Sequence, residues 1–201
     1  MKTQLPRVTL VRHGETEWSR AGLHTGRTDI PLLEEGERNA SAVATRLAGK
    51  IFVRVLVSPL QRARRTCELA GFGQQAEKDA NLMEWDYGDY EGMTTPQIRE
   101  QRPGWYLFRD GCPNGETAAE VGRRADQVIA RVRAVGGDVL LFAHGHVLRV
   151  LAARWLDLPP DRACNFVLAT AAVSVLGYEH GLQEPALLLW NDQRLLAPNV
   201  I

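Results

Sequence analysis

The sequence predicts an α/β fold, a three-layer sandwich in which helices cover both faces of a mostly parallel central sheet. Two observations support this prediction. Short apolar segments of β character alternate along the chain with longer segments whose apolar residues recur every three or four positions. The most apolar strand candidate, residues 139–143, is hydrophobic at every position, which is typical of a parallel strand buried on both faces.

The first part of the chain contains two strand–helix pairs. Residues 8–12 form a β-rich run that ends at Gly14, and a long irregular stretch follows it. Ala40, Val43 and Leu47 then recur at helical spacing, and a second apolar run stops at Ser58-Pro59. We therefore expect strands at 8–12 and 53–57 and helices at 34–47 and 60–70.

Residues 71–114 interrupt this alternation with many glycine, aromatic and acidic residues, and only a short helix is expected there, near 96–102. The chain has 201 residues, a usual length for one domain. We therefore predict a single domain of residues 1–201 in which the insertion of about 71–114 covers one end of the sheet and the active site there.

The rest of the chain returns to the alternating pattern. A long helical pattern opens at Asn114 and closes at Gly136-Gly137, and Glu116 is expected to cap this helix. Strands are then expected at 139–143, 173–178 and 186–189, with a helix at 147–156.

Composition and charge exclude several classes of protein. The 24 basic and 24 acidic residues cancel and no block of Lys or Arg occurs, so a nucleic-acid partner is not expected. The longest apolar runs are far shorter than the roughly 20 residues needed to cross a bilayer, so no membrane partner is expected either. Cys67, Cys112 and Cys164 are widely spaced and form no CxxC pair, which predicts a reducing compartment, the cytoplasm.

Histidine and arginine follow three of the predicted strands, in the segments Arg12-His13-Gly14, Ser58 to Arg62, and His144-Gly145-His146. The carboxyl ends of parallel strands meet at one edge of a sheet, where such folds bind ligands. Arginine offers a planar fork of donors that matches phosphate oxygens, and a neutral imidazole can attack phosphorus. Gly145 opens a helix whose first amide groups also suit an anion. The residues therefore predict a phosphoryl-transfer site.

Several motifs resemble those of the histidine phosphatase superfamily, which has the phosphoglycerate-mutase-like fold. They are LVRHGET, HTGRTDIPL, SPLQRARRT, EWDYGDYEG, NGET and FAHGH, and they span most of the chain. The resemblance implies that His13 is the nucleophile that becomes phosphohistidine and that Arg12, Arg62 and His144 complete the phosphate pocket. It also implies that Glu84 is the general acid, and that neither a metal nor a cofactor is needed.

The same resemblance implies a set of substrate contacts, although Ser19 stands where many relatives have Asn. The expected substrate-binding residues are Ser19, Thr25, Gly26, Tyr87 and Gly145. The roles of several other residues stay open. Asp86, Asp89 and Glu91 either compete with Glu84 or face water. His24 and His146 lack an assigned role, and Trp85, Trp105 and Tyr106 form either a small core or a wall for the substrate.

The motifs favour a phosphatase over a mutase within this family. Thr95 stands where the mutases have a Lys, eleven residues after the acid, and no Arg-Arg pair occurs between Glu84 and Asn114. The motifs are most similar to the branch with acid phosphatases and sedoheptulose-1,7-bisphosphatase. We therefore expect hydrolysis of small sugar phosphates or bisphosphates. Arg99, Arg102 and Arg109 either contact a second phosphate or are surface charges, and we favour the surface role. A phosphoglycerate mutase and a non-catalytic protein that binds phosphorylated ligands are the alternative functions left open. The sequence also leaves open whether the protein forms a homodimer.

Overall fold

The computed structural model describes residues 5–194, which form one six-stranded sheet of order β3-β2-β4-β1-β5-β6. Its strands are β1 Val8–Arg12, β2 Arg54–Val57, β3 Ala76–Lys78, β4 Val139–Ala143, β5 Val173–Tyr178 and β6 Pro185–Asp192. β1, β2, β3 and β4 run parallel to one another, while β5 is antiparallel to both β1 and β6. The predicted mostly parallel sheet is therefore confirmed.

Helices cover both faces of this sheet, so the predicted three-layer arrangement is also confirmed. They are α1 Glu17–Ala21, α2 Glu34–Leu47, α3 Gln61–Leu69, α4 Thr95–Gln101, α5 Leu107–Asp110, α6 Ala118–Val135 and α7 Gly145–Trp155. Buried residues of α2 and α3 pack with Val11, Val57 and Phe142 of the sheet. Buried residues of α6 and α7 pack with Leu10 and Leu141, which point to the opposite face.

The start of α6 differs from the prediction. Thr117 is the N-cap, because its side chain accepts from the Glu120 amide while the Glu120 carboxylate accepts from the Thr117 amide. The prediction that Glu116 caps the helix is therefore wrong. Its carboxylate instead binds Arg124, with 2.7 Å between Oε1 and Nε, and accepts a hydrogen bond from the Asp86 amide.

Three short elements were not predicted, namely α1, β3 and α5. β3 consists of Ala-Glu-Lys and has no apolar alternation, so only its pairing with β2 makes it a strand. It lies inside the 71–114 segment, next to β2 at the edge of the sheet. β6 is longer than predicted, because its pairing with β5 continues through Asp192.

The two tryptophans of the 71–114 segment belong to the core rather than to an open wall. Trp85 and Trp105 have exposed fractions of 0% and 2%, whereas Tyr106 is 39% exposed. Their indole N–H groups donate to the carbonyl oxygens of Glu116 and Gly111, as buried indoles require. Within residues 5–194, no helix combines the length and the apolar character that a membrane crossing needs.

Candidate active site

The parallel pairing of β1 and β4 brings two histidines together at the carboxyl edge of the sheet. Arg12 is opposite Ala143 in the register, so His13 and His144 follow at neighbouring strand ends, with ring centroids 5.2 Å apart. A cavity of about 180 Å³ opens at this edge. It is lined by Arg12, His13, Ser19, Gly22, Leu23, His24, Thr25, Glu84, Tyr87 and His146.

His13 is held in one tautomer and in its neutral form. Its Nδ1 lies 2.7 Å from the Gly14 carbonyl oxygen, which can only accept, so Nδ1 carries the proton. The lone pair is therefore on Nε2. Burial lowers the pKa of His13 well below its usual value, and the neighbouring Arg12 and Arg62 lower it further. A neutral imidazole with a defined lone pair is a competent nucleophile.

The residue after His13 is fixed by close backbone contact. The Gly14 amide donates to Thr66 Oγ1 at 2.9 Å, which ties the end of β1 to α3. A Cβ at Gly14 would lie 2.3 Å from the Gly36 carbonyl oxygen, so no larger residue fits between β1 and α2. These contacts keep the His13 backbone in place at the floor of the cavity.

Arg12 supplies a cation beside His13. One of its terminal nitrogens donates to the Leu168 carbonyl oxygen at 2.6 Å. Its Nε is buried and makes no hydrogen bond within residues 5–194. Arg12 lines the cavity, so its guanidinium is placed to pair with an anionic ligand there. A Cβ at Gly145 would lie 3.3 Å from the guanidinium, so glycine leaves room for it.

Arg62 and His144 are fully buried and lie behind His13 rather than on the cavity wall. Arg62 Nε donates to His144 Nδ1 at 3.1 Å, and its terminal nitrogens donate to carbonyl oxygens of the 25–28 loop. His144 Nε2, which must then carry the proton, lies 2.7 Å from Ser58 Oγ. Burial, together with Arg62, lowers the pKa of His144 well below its usual value. Arg62 and His144 thus organise the site from behind.

Glu84 is held by three backbone amides at the start of α7 and in its own segment. Oε1 accepts from the amides of Trp85 and Val147, and Oε2 accepts from the His146 amide, all at 2.9 Å. A carboxylate oxygen accepts about two hydrogen bonds in its plane, so Oε1 is saturated and Oε2 has one position left. Oε2 is therefore the oxygen that can exchange a proton with a ligand in the cavity.

The loop with Thr25 and Gly26 is held from two sides. Glu91 Oε1 accepts from the amides of Gly26 and Thr28, at 2.8 and 3.0 Å, so Glu91 does not simply face water. A Cβ at Gly26 would lie 2.5 Å from the Trp85 carbonyl oxygen. Thr25 lines the cavity. The Gly26 amide instead donates to Glu91, and the Gly26 carbonyl oxygen accepts from Arg62. Glu91 is a residue whose role the sequence left open.

Three rings, those of His24, Tyr87 and His146, line the cavity. The His24 ring lies 4.7 Å from that of Tyr87 and 5.6 Å from that of Trp105, and Tyr87 Oη lies 2.5 Å from His146 Nδ1. Burial lowers the pKa of His24 to about 4 and lowers that of His146 well below its usual value. Both imidazoles are therefore neutral at neutral pH. We call His24, Tyr87 and His146, which line the cavity, the ring wall.

The predicted site residues separate into two groups. Those that line the cavity are Arg12, His13, Ser19, Thr25, Glu84 and Tyr87. Those that lie behind this surface are Arg62, His144, Gly26 and Gly145. Ser19 Oγ accepts from the Thr16 amide and donates to the Thr16 carbonyl oxygen, so this hydroxyl also closes the first turn of α1. His24 and His146 also line the cavity. The only sequence signal for them is their position, His24 directly before Thr25 and His146 two residues after His144.

Within residues 5–194, one group of three side chains has the spacing of metal ligands. It consists of Glu179, His180 and Glu184, which are all exposed and lie at the turn between β5 and β6. None of the three side chains is buried, and His180 Nδ1 lies 2.7 Å from Glu184 Oε2. This group is separate from the cavity at the carboxyl edge of the sheet.

Comparison with known proteins agrees with this geometry. A sequence profile described as histidine phosphatase superfamily (branch 1) matches residues 8–193. An acid phosphatase of Mycobacterium tuberculosis is 42% identical over 187 residues, covering 90% of this chain and 91% of that protein. A sedoheptulose 1,7-bisphosphatase of Saccharomyces cerevisiae is 33% identical, with 94% of each chain covered. The solved structure of an open reading frame product of Mycobacterium tuberculosis has a TM-score of 0.88 and 38% identity, covering 94% of this chain and 98% of that chain.

Proposed function

The chain belongs to branch 1 of the histidine phosphatase superfamily, and from this premise we propose that it hydrolyses small phosphorylated metabolites, sugar phosphates or bisphosphates, through a phosphohistidine on His13. The observation that carries the proposal is the state of His13. Its ring is neutral, its lone pair is on Nε2, and it lines a cavity together with the guanidinium-bearing Arg12.

In the first step, His13 Nε2 attacks the phosphorus atom of the substrate. A bond forms between nitrogen and phosphorus, and the bond between phosphorus and the leaving oxygen breaks with its electron pair on that oxygen. Glu84 Oε2 gives its proton to the leaving oxygen, which departs as an alcohol. Arg12 stabilises the charge on the phosphoryl oxygens, which is the main contribution a protein makes to this transition state.

In the second step, a water molecule attacks the phosphorus atom of the phosphohistidine. Glu84, now ionised, accepts a proton from the water, and the bond between nitrogen and phosphorus breaks. Inorganic phosphate is released, His13 is neutral again, and Glu84 is protonated for the next cycle. Arg62 and His144 act from behind by fixing the 25–28 loop and the strand ends.

The cavity supports hydrolysis over the alternative of a mutase. Thr95, at the position where the mutases have a Lys, contributes a hydroxyl that lies 3.3 Å from His24 Nε2 rather than a cation. The alternative of a protein that only binds phosphorylated ligands is disfavoured because nucleophile and acid both line the cavity. The proposal also places the protein in the cytoplasm, since Cys67, Cys112 and Cys164 are free thiols.

Turnover of p-nitrophenyl phosphate in EDTA tests the proposal. We expect hydrolysis with an acid-labile phosphoenzyme intermediate in the intact protein, and neither in His13→Ala. His180→Ala is the matched control, because this exposed histidine lies outside the cavity and should leave turnover unchanged. Metal independence and a single domain of residues 1–201 are part of the same proposal.

Other outcomes identify the alternatives. Absence of turnover from acidic to neutral pH, with phosphate still bound, would indicate a binding protein. Turnover that EDTA abolishes would indicate a metal-dependent hydrolase. Appreciable 2-phosphoglycerate formed from 3-phosphoglycerate in the presence of 2,3-bisphosphoglycerate would indicate a mutase.

A further inference from the structure

The proposed function leaves sugar monophosphates and bisphosphates in one class, and the lining of the cavity distinguishes them. We propose that the substrate's leaving group is uncharged and carries a ring, so that the protein hydrolyses monophosphates of cyclic sugars or aromatic alcohols in preference to bisphosphates. This inference rests on the proposed function, because it concerns the leaving-group side of the same cavity.

The first argument is the chemistry of the ring wall. Tyr87 and His146 have ring centroids 5.9 Å apart, and His24 and His146 have centroids 6.3 Å apart. With His24 against Tyr87 at 4.7 Å, these three rings form one continuous side of the cavity. Flat ring faces pack well against the apolar face of a sugar or an aromatic ring. They offer no charge, because burial keeps both imidazoles neutral and raises the pKa of Tyr87 well above its usual value.

The second argument is the position of charge within the cavity. Arg12 is the one arginine or lysine among the described residues that line it, and this cation is beside His13. It therefore serves the phosphoryl group that reacts. The other titratable group that lines the cavity is Glu84, which supplies no positive charge for a second phosphate on the leaving group.

The third argument concerns the arginines around the cavity, which all have partners elsewhere. Arg27 binds Asp86 and Met83, Arg99 binds the Trp105 carbonyl oxygen, and Arg109 binds Asp110 and the Gly104 carbonyl oxygen. Arg149 stacks on Phe108 at 4.7 Å and donates to the carbonyl oxygens of Ala163 and Cys164. None of these four lines the cavity. This placement agrees with the surface role predicted for Arg99 and Arg109.

A second phosphate would therefore enter the cavity without a cation to neutralise it. Burying a charge without a partner of opposite sign is costly. The volume points the same way, since about 180 Å³ is below the roughly 300–1,000 Å³ of common ligand pockets. A small monophosphate fits both the size and the charge of the site.

Matched substrates test the inference on the intact protein. We expect kcat/KM for glucose 6-phosphate to exceed that for glucose 1,6-bisphosphate by about tenfold or more, because the two share one ring and differ in one phosphate. We also expect glycerol 3-phosphate, which is uncharged beyond its phosphate but has no ring, to show a higher KM than phenyl phosphate. Equal or higher kcat/KM for the bisphosphate would overturn the inference.

Two variants separate the ring wall from the surface. His24→Lys introduces a cation and is expected to lower the ratio of monophosphate to bisphosphate kcat/KM by about tenfold. Arg109→Gln, at an exposed position outside the cavity, is expected to leave the ratio unchanged. If the ratio of monophosphate to bisphosphate kcat/KM changes in Arg109→Gln and not in His24→Lys, the lining of the cavity does not set the preference and the inference is wrong.

The same assays distinguish failure of this inference from failure of the proposed function. Hydrolysis of p-nitrophenyl phosphate through a phosphoenzyme, together with a preference for bisphosphates, would overturn only the inference. Absence of hydrolysis of every phosphomonoester would overturn both. Should His24→Lys fail to fold, the substrate ratio of the intact protein still decides the question.

Discussion

At the scale of single residues, Glu84 and His13 are prepared for opposite tasks by the hydrogen bonds that each one makes. His13 Nδ1 carries the only N–H of the ring and donates it to the Gly14 carbonyl oxygen, which leaves a lone pair on Nε2. Three amides occupy three of the lone-pair positions of Glu84 and leave one on Oε2. Each residue therefore presents a single reactive position to the cavity, which limits the geometries in which a phosphomonoester can react.

Glu84→Gln tests the assigned proton transfer. We expect kcat to fall by about 10²–10⁴-fold, the range typical of a lost general acid, because an amide cannot deliver a proton to the leaving oxygen. Vanadate affinity should be largely retained, since Arg12 and His13 are untouched. The measurements are steady-state kinetics and vanadate inhibition.

Glu120→Gln provides the control for that variant. It makes the same chemical change at an exposed capping box, where the carbonyl oxygen of Gln can still accept from Thr117. Its kinetics should match those of the intact protein. A loss of vanadate affinity in Glu84→Gln as large as its loss of kcat would mean that Glu84 shapes the phosphate pocket instead of moving a proton.

At the scale of elements, the start of α7 assembles much of the site. His144 is its N-cap residue, Gly145 makes room for the Arg12 guanidinium, and the amides of His146 and Val147 hold Glu84. A helix N-terminus has unpaired amides, so it can hold a carboxylate from another segment. One helix start thereby links the end of β4 to the 71–114 segment.

Elements with strong periodicity could be predicted from the sequence, and those formed by pairing alone could not. The helix at 34–47 and the strands at 139–143 and 173–178 have the predicted bounds, because their own apolar patterns fix them. β3 has no such pattern and depends on β2. The direction of β5 and β6 is likewise set by tertiary pairing.

The same distinction holds for the site. His13 and Glu84 belong to compact motifs and could be named from the sequence, and the structure brings both to one cavity. The ring wall comes from three separated segments, so no spacing along the chain reveals it. Glu91 looked like one acidic residue among several, and only its contact with the 25–28 loop distinguishes it.

Arg62→Lys tests how α3 holds the 25–28 loop. Lysine has three donors on one nitrogen and lacks the planar fork, so it cannot reach the three carbonyls and His144 together. Buried carbonyls left unpaired should lower the free energy of unfolding by about 1–3 kcal/mol. We expect kcat/KM to fall as well, because Thr25 lines the cavity. Urea unfolding and steady-state kinetics measure the two effects.

Arg65→Lys on the same helix is the control for that change. Arg65 is half exposed and binds Glu37 and Glu68 at the surface, where such pairs contribute only about 0–1 kcal/mol. Its unfolding curve should stay close to that of the intact protein. If Arg62→Lys unfolds like Arg65→Lys, the buried network does not hold the loop.

At the scale of the whole molecule, buried neutral histidines make stability depend on pH. Burial lowers the pKa of His13 and His144 well below their usual value, and both are nearly inaccessible. Below about pH 6.5 the unfolded chain binds protons on these residues while the folded chain does not, so stability falls as pH falls. From pH 7.5 to 5.5 we expect a loss of about 1.4 kcal/mol for each of the two.

His24 and His146, whose pKa burial also lowers, act in the same window and the same direction, whereas the remaining shifted groups act outside it or in the opposite direction. Hydrogen bonds from arginine lower the pKa of Asp110 and of Asp192 to about 2, so their contribution is lost only as pH falls below about 4. The exposed His180 beside Glu184 has a raised pKa, and its small contribution is present at low pH and lost as pH rises through that value. The loss between pH 7.5 and 5.5 therefore comes from the buried histidines.

Urea unfolding at pH 7.5, 6.5 and 5.5 measures this dependence, and two variants assign it. His144→Asn removes one buried imidazole, so its stability should fall less steeply with pH than that of the intact protein, even if the variant is less stable throughout. His180→Asn should leave the slope nearly unchanged, because that ring is exposed. A flat profile in the intact protein would mean that the buried rings take up protons without unfolding, which contradicts a neutral His13 in the folded site.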